Sequence, residues 1–109
     1  MIDAHFSFGD NGSPQGFVIS GHSGWADPGS DIVCASVSSA VMLVCNTLTD
    51  FFGEDVGAVA EYNRIELTLR SGAVLSEYAA KLINSLITHL KFISEDYPGT
   101  VRVTEDRLR

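Results

Sequence analysis

A histidine and a cysteine that could act together lie twelve positions apart in this chain, at His22 and Cys34. Both belong to the segment from Gly21 to Ser39, GHSGWADPGSDIVCASVSS. The nucleophilic form of cysteine is the thiolate, and its charge is stabilised by a neighbouring imidazole and by the start of a helix. We therefore interpret His22 and Cys34 as a candidate catalytic dyad for thiol chemistry.

The elements around this pair place the cysteine where a helix begins. Residues Gln15 to Ser20 are short, apolar and rich in β-formers, which predicts a strand that ends just before the histidine. From Asp31 the apolar residues recur at helical spacing as far as Gly53, and Ser30 or Asp31 offers an N-cap. Cys34 then falls in the first helical turn, where free backbone N–H groups and the helix dipole favour an anion.

The connecting loop between strand and helix, Ser23 to Ser30, has the composition of turns. It contains Gly24, Trp25, Pro28 and Gly29, a mixture that disfavours both helix and strand. We expect this loop to be a mobile cover over the candidate site.

The remaining sequence predicts an α+β domain. Apolar and polar residues alternate from Ile2 to Phe8, and a turn at Asn11-Gly12 and Pro14 joins this strand to the next in a hairpin. The further predicted elements are a strand pair turning at Tyr62-Asn63, a second helix and a short last strand, over Val56 to Tyr62, Arg64 to Arg70, Val74 to Glu95, and Val101 to Val103. The order ββαββα(β) favours an antiparallel sheet covered by two helices.

Composition limits the cellular setting and the partners. The 109 residues, 45% of them hydrophobic, suit one domain over residues 1–109 with a modest core. No apolar run suggests a membrane span, and the start MIDAHFSFGD lacks the features of a signal peptide, so we expect a cytoplasmic protein. A net charge of −7 with only 7 basic residues disfavours nucleic-acid binding and suits a basic protein partner.

The two cysteines are expected to behave differently. On one straight helix, Cys34 and Cys45 would be separated by about 16 Å, which is too far for a disulfide. Cys45 lies among apolar residues in mid-helix, where a thiol is desolvated and inert. Two free cysteines fit a reducing compartment.

The motifs GHxG and GxDIVCAxxS resemble those of the ribosomal-processing cysteine protease family of bacteria. The likeness continues through the later strands and the second helix to the ending ISEDYP at residues 93–98, so it covers nearly the whole chain. The residues that carry the two motifs here are Gly21, His22, Gly29, Asp31, Ile32, Val33, Cys34, Ala35 and Ser38.

The resemblance implies an activity, a partner and an assembly. It implies a cysteine endopeptidase that removes an N-terminal extension from a large-subunit ribosomal protein, using His22 and Cys34. It also points to a homodimer. The second helix carries a main apolar stripe and a second apolar set beside it, Ala79, Ile83 and Ile87. The main stripe consists of Leu75, Tyr78, Leu82, Leu86, Leu90 and Ile93. The second set independently favours a dimer, because it exceeds what one sheet face should cover. The chain departs from the family pattern at Trp25 and Pro28.

Four further residues are candidates for supporting the dyad. Gly21 belongs to the family motif, and Asp31 could orient His22 or cap the helix. Ser38, one turn after the cysteine, could support the site by a hydrogen bond or bond to its own backbone. Trp25 could close on a substrate or pack the loop.

The mechanism that these residues favour is acyl transfer. The imidazole would help to form the thiolate, and N–H groups at the helix start would stabilise the oxyanion. We expect no cofactor, and a metal site built from His22, Asp27, Asp31 and Cys34 matches no familiar zinc spacing. A non-catalytic peptide-binding module for ribosome assembly and a thiol redox sensor are the alternative functions.

Overall fold

Within residues 1–27 and 29–107, which the computed structural model describes, five strands and two α-helices form an α+β fold. The predicted order of elements is confirmed. Their bounds are β1 Ile2–Phe8, β2 Pro14–Gly21, α1 Ile32–Asn46, β3 Val56–Glu61, β4 Arg64–Leu69, α2 Glu77–Asp96 and β5 Val101–Arg107. A π-helical turn, Thr47–Phe51, extends α1.

The sheet is mixed, which corrects the prediction of a wholly antiparallel sheet. Its strand order is β3-β4-β2-β1-β5, and three of the four pairings are antiparallel. The fourth joins β1 to β5 in parallel. Helix α2 causes this, because it carries the chain from β4 across to the opposite edge, and such a crossover returns the next strand in the same direction. The last strand is also longer than the predicted Val101 to Val103.

The two helices pack on one face of the sheet. On β1 the side chains of Ile2, Ala4, Phe6 and Phe8 are buried, whereas those between them are partly exposed. Alternate burial of this kind is expected of a strand with one face against a core. From α1 the residues Val33, Val37, Val41, Val44 and Cys45 contribute to that core.

Helix α2 faces the core with residues of both apolar sets that the sequence predicted. Ala79, Ile83 and Ile87 are buried within the chain, and so are Leu86, Leu90 and Ile93 of the main stripe. Tyr78 of that stripe is 77% exposed. The buried face of the helix is thus wider than the main stripe and includes the second set. The argument that Ala79, Ile83 and Ile87 form a surplus apolar surface for a dimer is therefore wrong.

By length and composition, the run Ile32–Phe51 could cross a membrane, contrary to the expectation that no apolar run does so. The core helix of a soluble protein meets the same criterion, and one third of this run is buried in the fold. The run is therefore weak evidence for a membrane span.

Candidate active site

A cavity of about 610 Å³, here called the site cavity, lies where four parts of the chain come together. Its walls come mainly from the end of β2, the connecting loop, the start of α1 and the turn between β3 and β4. His22 and Cys34 both line it. The structure therefore brings the two residues of the candidate dyad to one cavity.

Cys34 is the third residue of α1, as predicted, and its thiol is partly buried. Asp31 caps this helix with an extended backbone, and its Oδ1 accepts the N–H groups of Val33 and Cys34, both at 3.0 Å. The carbonyl oxygen of Asp31 accepts the N–H of Ala35 at 3.1 Å. These three donors are already engaged in this conformation, so the oxyanion hole at the helix start stays a prediction.

Asp31 is also the acceptor for a serine that the sequence reasoning missed. The hydroxyl of Ser23 donates to Asp31 Oδ2, and both side chains are buried. This hydrogen bond, followed by weaker ones from the N–H groups of Cys34 and Ala26 and from the Cys34 thiol, lowers the pKa of Asp31 to about 2, although burial opposes the shift. No hydrogen bond joins Asp31 to His22 among the described residues, so the capping interpretation of Asp31 is the one that the structure favours.

The lowered pKa of Asp31 predicts an acid-sensitive contribution to stability. A carboxyl whose pKa falls from 3.8 to about 2 on folding stabilises the fold above pH 4 and loses that effect as pH drops towards 2. Between pH 4 and 2, the free energy of unfolding measured in urea should therefore fall more steeply for the wild type than for Asp31→Asn. Asp10→Asn, in the exposed β1–β2 turn, is the control and should keep the wild-type slope. Equal slopes for Asp31→Asn and the wild type would contradict the prediction.

His22 lies at the solvent side of the site cavity and is exposed. Its ring and that of Tyr62 form a T-shaped contact, with the ring centroids 5.8 Å apart and an interplanar angle of 63°. Tyr62 is in the β3–β4 turn, which sequence reasoning treated only as a connection. In the described part of the chain, no hydrogen bond joins His22 to Cys34. A shift of the imidazole towards the sulfur is therefore needed for the two to exchange a proton.

Gly21 ends β2 with a backbone that only glycine adopts easily, at a φ of +94°. A Cβ at this position would lie 2.5 Å from the carbonyl oxygen of Met1. The Gly21 N–H also donates to the carbonyl oxygen of Asn63 in the β3–β4 turn at 3.0 Å. Gly21 thus supports the site by fixing the backbone that leads into His22.

Replacing Gly21 should damage both the fold and the site. We expect Gly21→Ala to lower the free energy of unfolding by about 1 to 3 kcal/mol, because of the strained backbone and the contact with Met1. Gly12→Ala is a matched control, because Gly12 has a φ of +81° but open space around it. Thermal melts and peptide cleavage would be compared. A smaller loss of stability in Gly21→Ala than in Gly12→Ala would show that the closeness of Gly21 to the Met1 carbonyl does not matter.

The other predicted supporting residues differ in their relation to the cavity. Ser38 lines the site cavity, but its hydroxyl makes no hydrogen bond within the described residues. Trp25 packs edge to face on Tyr97, with ring centroids 4.9 Å apart, rather than lining the cavity. Pro28 lies outside the described residues. Of the two interpretations of Trp25, loop packing is the one that this conformation favours.

The second cysteine lies in the core of the fold. Burial raises the pKa of the Cys45 thiol to about 11, so almost none of it is thiolate at neutral pH. Within residues 1–27 and 29–107, no three His, Cys, Asp or Glu side chains come together as a metal site would require. Asp27, one of the metal ligands considered from the sequence, is exposed in the connecting loop.

Comparison with known proteins identifies the family. The sequence model described as "Cysteine protease Prp" matches residues 1–102, almost the whole chain. The chain belongs to the Prp family of cysteine proteases. The resemblance seen in the motifs is thereby confirmed.

Relatives in the Prp family match this chain over most of their own length. The ribosomal processing cysteine protease Prp of Bacillus subtilis is 30% identical over 92 residues, which cover 81% of this chain and 82% of the relative. The protein of the same name from Staphylococcus aureus is 23% identical over 103 residues, covering 94% and 97%.

Solved structures of the Prp family share the fold. A crystal structure of Prp from S. aureus in complex with a covalently linked product peptide has a TM-score of 0.86 at 20% identity, covering 97% of this chain and all of that one. A second, in complex with a substrate peptide, has a TM-score of 0.81 at 19% identity with the same coverage. The mixed sheet and the two helices are thus those of the Prp family, and the enzyme class is cysteine protease.

Proposed function

We propose that this protein is an endopeptidase that removes an N-terminal extension from a large-subunit ribosomal protein. Cys34 is the nucleophile, and His22 is the general base and acid. The observation that carries the proposal is that the two side chains line one cavity, with the thiol in the first turn of α1. Membership of the Prp family supports the reaction class.

The reaction begins when the His22 imidazole takes the thiol proton of Cys34. The thiolate then attacks the carbonyl carbon of the scissile peptide bond, and the tetrahedral intermediate forms. The imidazolium gives its proton to the departing amine as the intermediate collapses to a thioester. Water, activated by the now neutral imidazole, hydrolyses the thioester and regenerates the thiol.

The ring of His22 is exposed and touches the exposed Tyr62 ring rather than the packed core, which favours its movement towards the sulfur. A substrate that fills the site cavity would exclude water between the two residues. The mobile connecting loop, Ser23 to Ser30, stays a prediction, and its closure over a bound peptide is part of this proposal.

The substrate assignment rests on the family and on charge. The relatives from B. subtilis and S. aureus are named ribosomal processing proteases, and one S. aureus structure holds a substrate peptide. A chain with a net charge of −7 attracts a basic protein before it is assembled with RNA. These points favour a basic ribosomal protein over RNA itself as the partner.

The homodimer and the cytoplasmic location stay predictions. The dimer now rests on the family resemblance alone, because the apolar set on α2 that favoured it packs inside one chain. The location rests on the composition and on the nature of the proposed substrate.

The proposal is tested with two peptides from the ribosomal protein of the same organism. One spans the junction between extension and mature protein, and the other begins at the mature N-terminus. We expect cleavage at a single bond of the first peptide and none of the second, measured by mass spectrometry. Absence of cleavage of the junction peptide by a folded protein would overturn the proposal.

A further inference from the structure

Ser23 follows His22 in the chain but, unlike that exposed histidine, is buried, with 4% of its surface exposed. Its backbone N–H and its hydroxyl are both engaged around the candidate nucleophile. The backbone N–H of Ser23 donates to Cys34 Sγ at 3.3 Å. Its hydroxyl donates to Asp31 and accepts the N–H of Trp25 at 3.1 Å. Ser23 therefore links the connecting loop to the capping residue Asp31 and to the Cys34 thiol.

The carboxylate of Asp31 holds Ser23 and the backbone of Cys34 at the same time. Its Oδ2 accepts from Ser23, whereas its Oδ1 accepts the N–H of Cys34 itself at 3.0 Å. The backbone of Cys34 and the hydroxyl of Ser23 are thus held by the two oxygens of one buried group. The distance from the Ser23 N–H to the Cys34 sulfur depends on that arrangement.

A hydrogen bond to the sulfur matters most when the sulfur is charged. An N–H that faces a thiolate stabilises it more than it stabilises the neutral thiol, because hydrogen bonds to ions are the stronger ones. The helix-start donors of Val33, Cys34 and Ala35 are engaged by Asp31 and do not supply this hydrogen bond. Among the described residues, Ser23 is the only hydrogen-bond donor to Cys34 Sγ.

We propose that Ser23 is a positioning residue for the cleavage reaction: its hydroxyl, anchored on Asp31, holds its own N–H against the Cys34 sulfur and so favours the reactive thiolate. The inference rests on the proposed role of Cys34 as nucleophile. It assigns to the side chain of Ser23 an effect that acts through the backbone and the sulfur rather than through contact with substrate.

A purely structural role for Ser23 makes different predictions. If the hydroxyl only stabilised the loop, its removal would lower the melting temperature but leave the turnover of the folded enzyme unchanged. If it positions the N–H, removal lowers kcat and slows alkylation of Cys34, with KM little changed, and threonine restores both because it keeps the hydroxyl.

The experiment compares Ser23→Ala and Ser23→Thr with the wild type, and uses Ser39→Ala as a matched control. Ser39 is an exposed serine on the same helix as the nucleophile and does not line the site cavity. Two measurements are made: kcat and KM on the junction peptide, and the rate at which iodoacetamide labels Cys34 in the native protein. The second requires no substrate, so it tests the proposal even if the ribosomal assignment fails.

We expect Ser23→Ala to lower both kcat and the labelling rate by about tenfold to a hundredfold, as for loss of one hydrogen bond to a charged group, with KM within about twofold. Ser23→Thr and Ser39→Ala should stay within about threefold of the wild type. Wild-type labelling in Ser23→Ala, or a loss that Ser23→Thr does not restore, would overturn the proposal. If Ser23→Ala does not fold, Ser23→Thr and Ser23→Val decide, since they share a shape and only threonine should label rapidly.

Discussion

Cys34→Ala should abolish cleavage of the junction peptide while the protein stays folded. The substitution removes the nucleophile, and loss of a catalytic nucleophile lowers kcat by at least about a thousandfold. The side chain is small and only partly buried, so the free energy of unfolding should change by less than about 1 kcal/mol. Turnover by purified variants, together with urea unfolding, measures both quantities.

Cys45→Ala is the matched control for this variant. Cys45 is the other free cysteine, 3% exposed in the core, and its high pKa leaves it without thiolate character. Its removal should cost about 1 kcal/mol of stability by leaving a small cavity, with cleavage unchanged. Cleavage that survives in Cys34→Ala and is lost in Cys45→Ala would reverse the assignment of the nucleophile.

His22→Ala should lower kcat by about a hundredfold to ten-thousandfold, the usual effect of losing a general acid and base. The same substitution should slow labelling of Cys34 by iodoacetamide, because the base proposed to take the thiol proton is removed. Stability should hardly change, because the histidine ring is exposed and packs only against the exposed Tyr62.

His89→Ala is the control for the histidine experiment. His89 is exposed on α2 and does not line the site cavity, so both turnover and labelling should match the wild type. If His22→Ala keeps turnover within threefold of the wild type, the dyad assignment fails, and another base must serve Cys34.

Local patterns were sufficient to predict the elements that hold the candidate dyad. The Asp31 cap, the start of α1 and the end of β2 are each set by neighbours in the chain, and the structure has them within a residue or two of the prediction. The hairpin of β3 and β4 about Tyr62-Asn63 was predictable for the same reason.

Features that depend on distant contacts were not predictable. The parallel pairing of β5 with β1 joins residues about a hundred positions apart, and no local pattern encodes its direction. The width of the buried face of α2 is set by packing, because periodicity alone does not show that both adjoining apolar stripes are covered within one chain.

The role of Ser23 was also hidden in the sequence. The sequence GHSG predicts that its serine is an ordinary loop residue. The spacing between Ser23 and Asp31 does not indicate that the serine is buried. A signal did exist, since a capping aspartate with two oxygens leaves one free for a second donor. Which donor takes that place depends on how the connecting loop folds back over α1.

The most direct test of the central claim is to trap the intermediate. The protein is mixed with the junction peptide, quenched in acid and analysed by mass spectrometry. We expect a protein species heavier than the free enzyme by the mass of the released extension less one water, with the added group on Cys34 and absent from Cys34→Ala. Cleavage of the peptide with no such adduct and with full activity in Cys34→Ala would contradict the account.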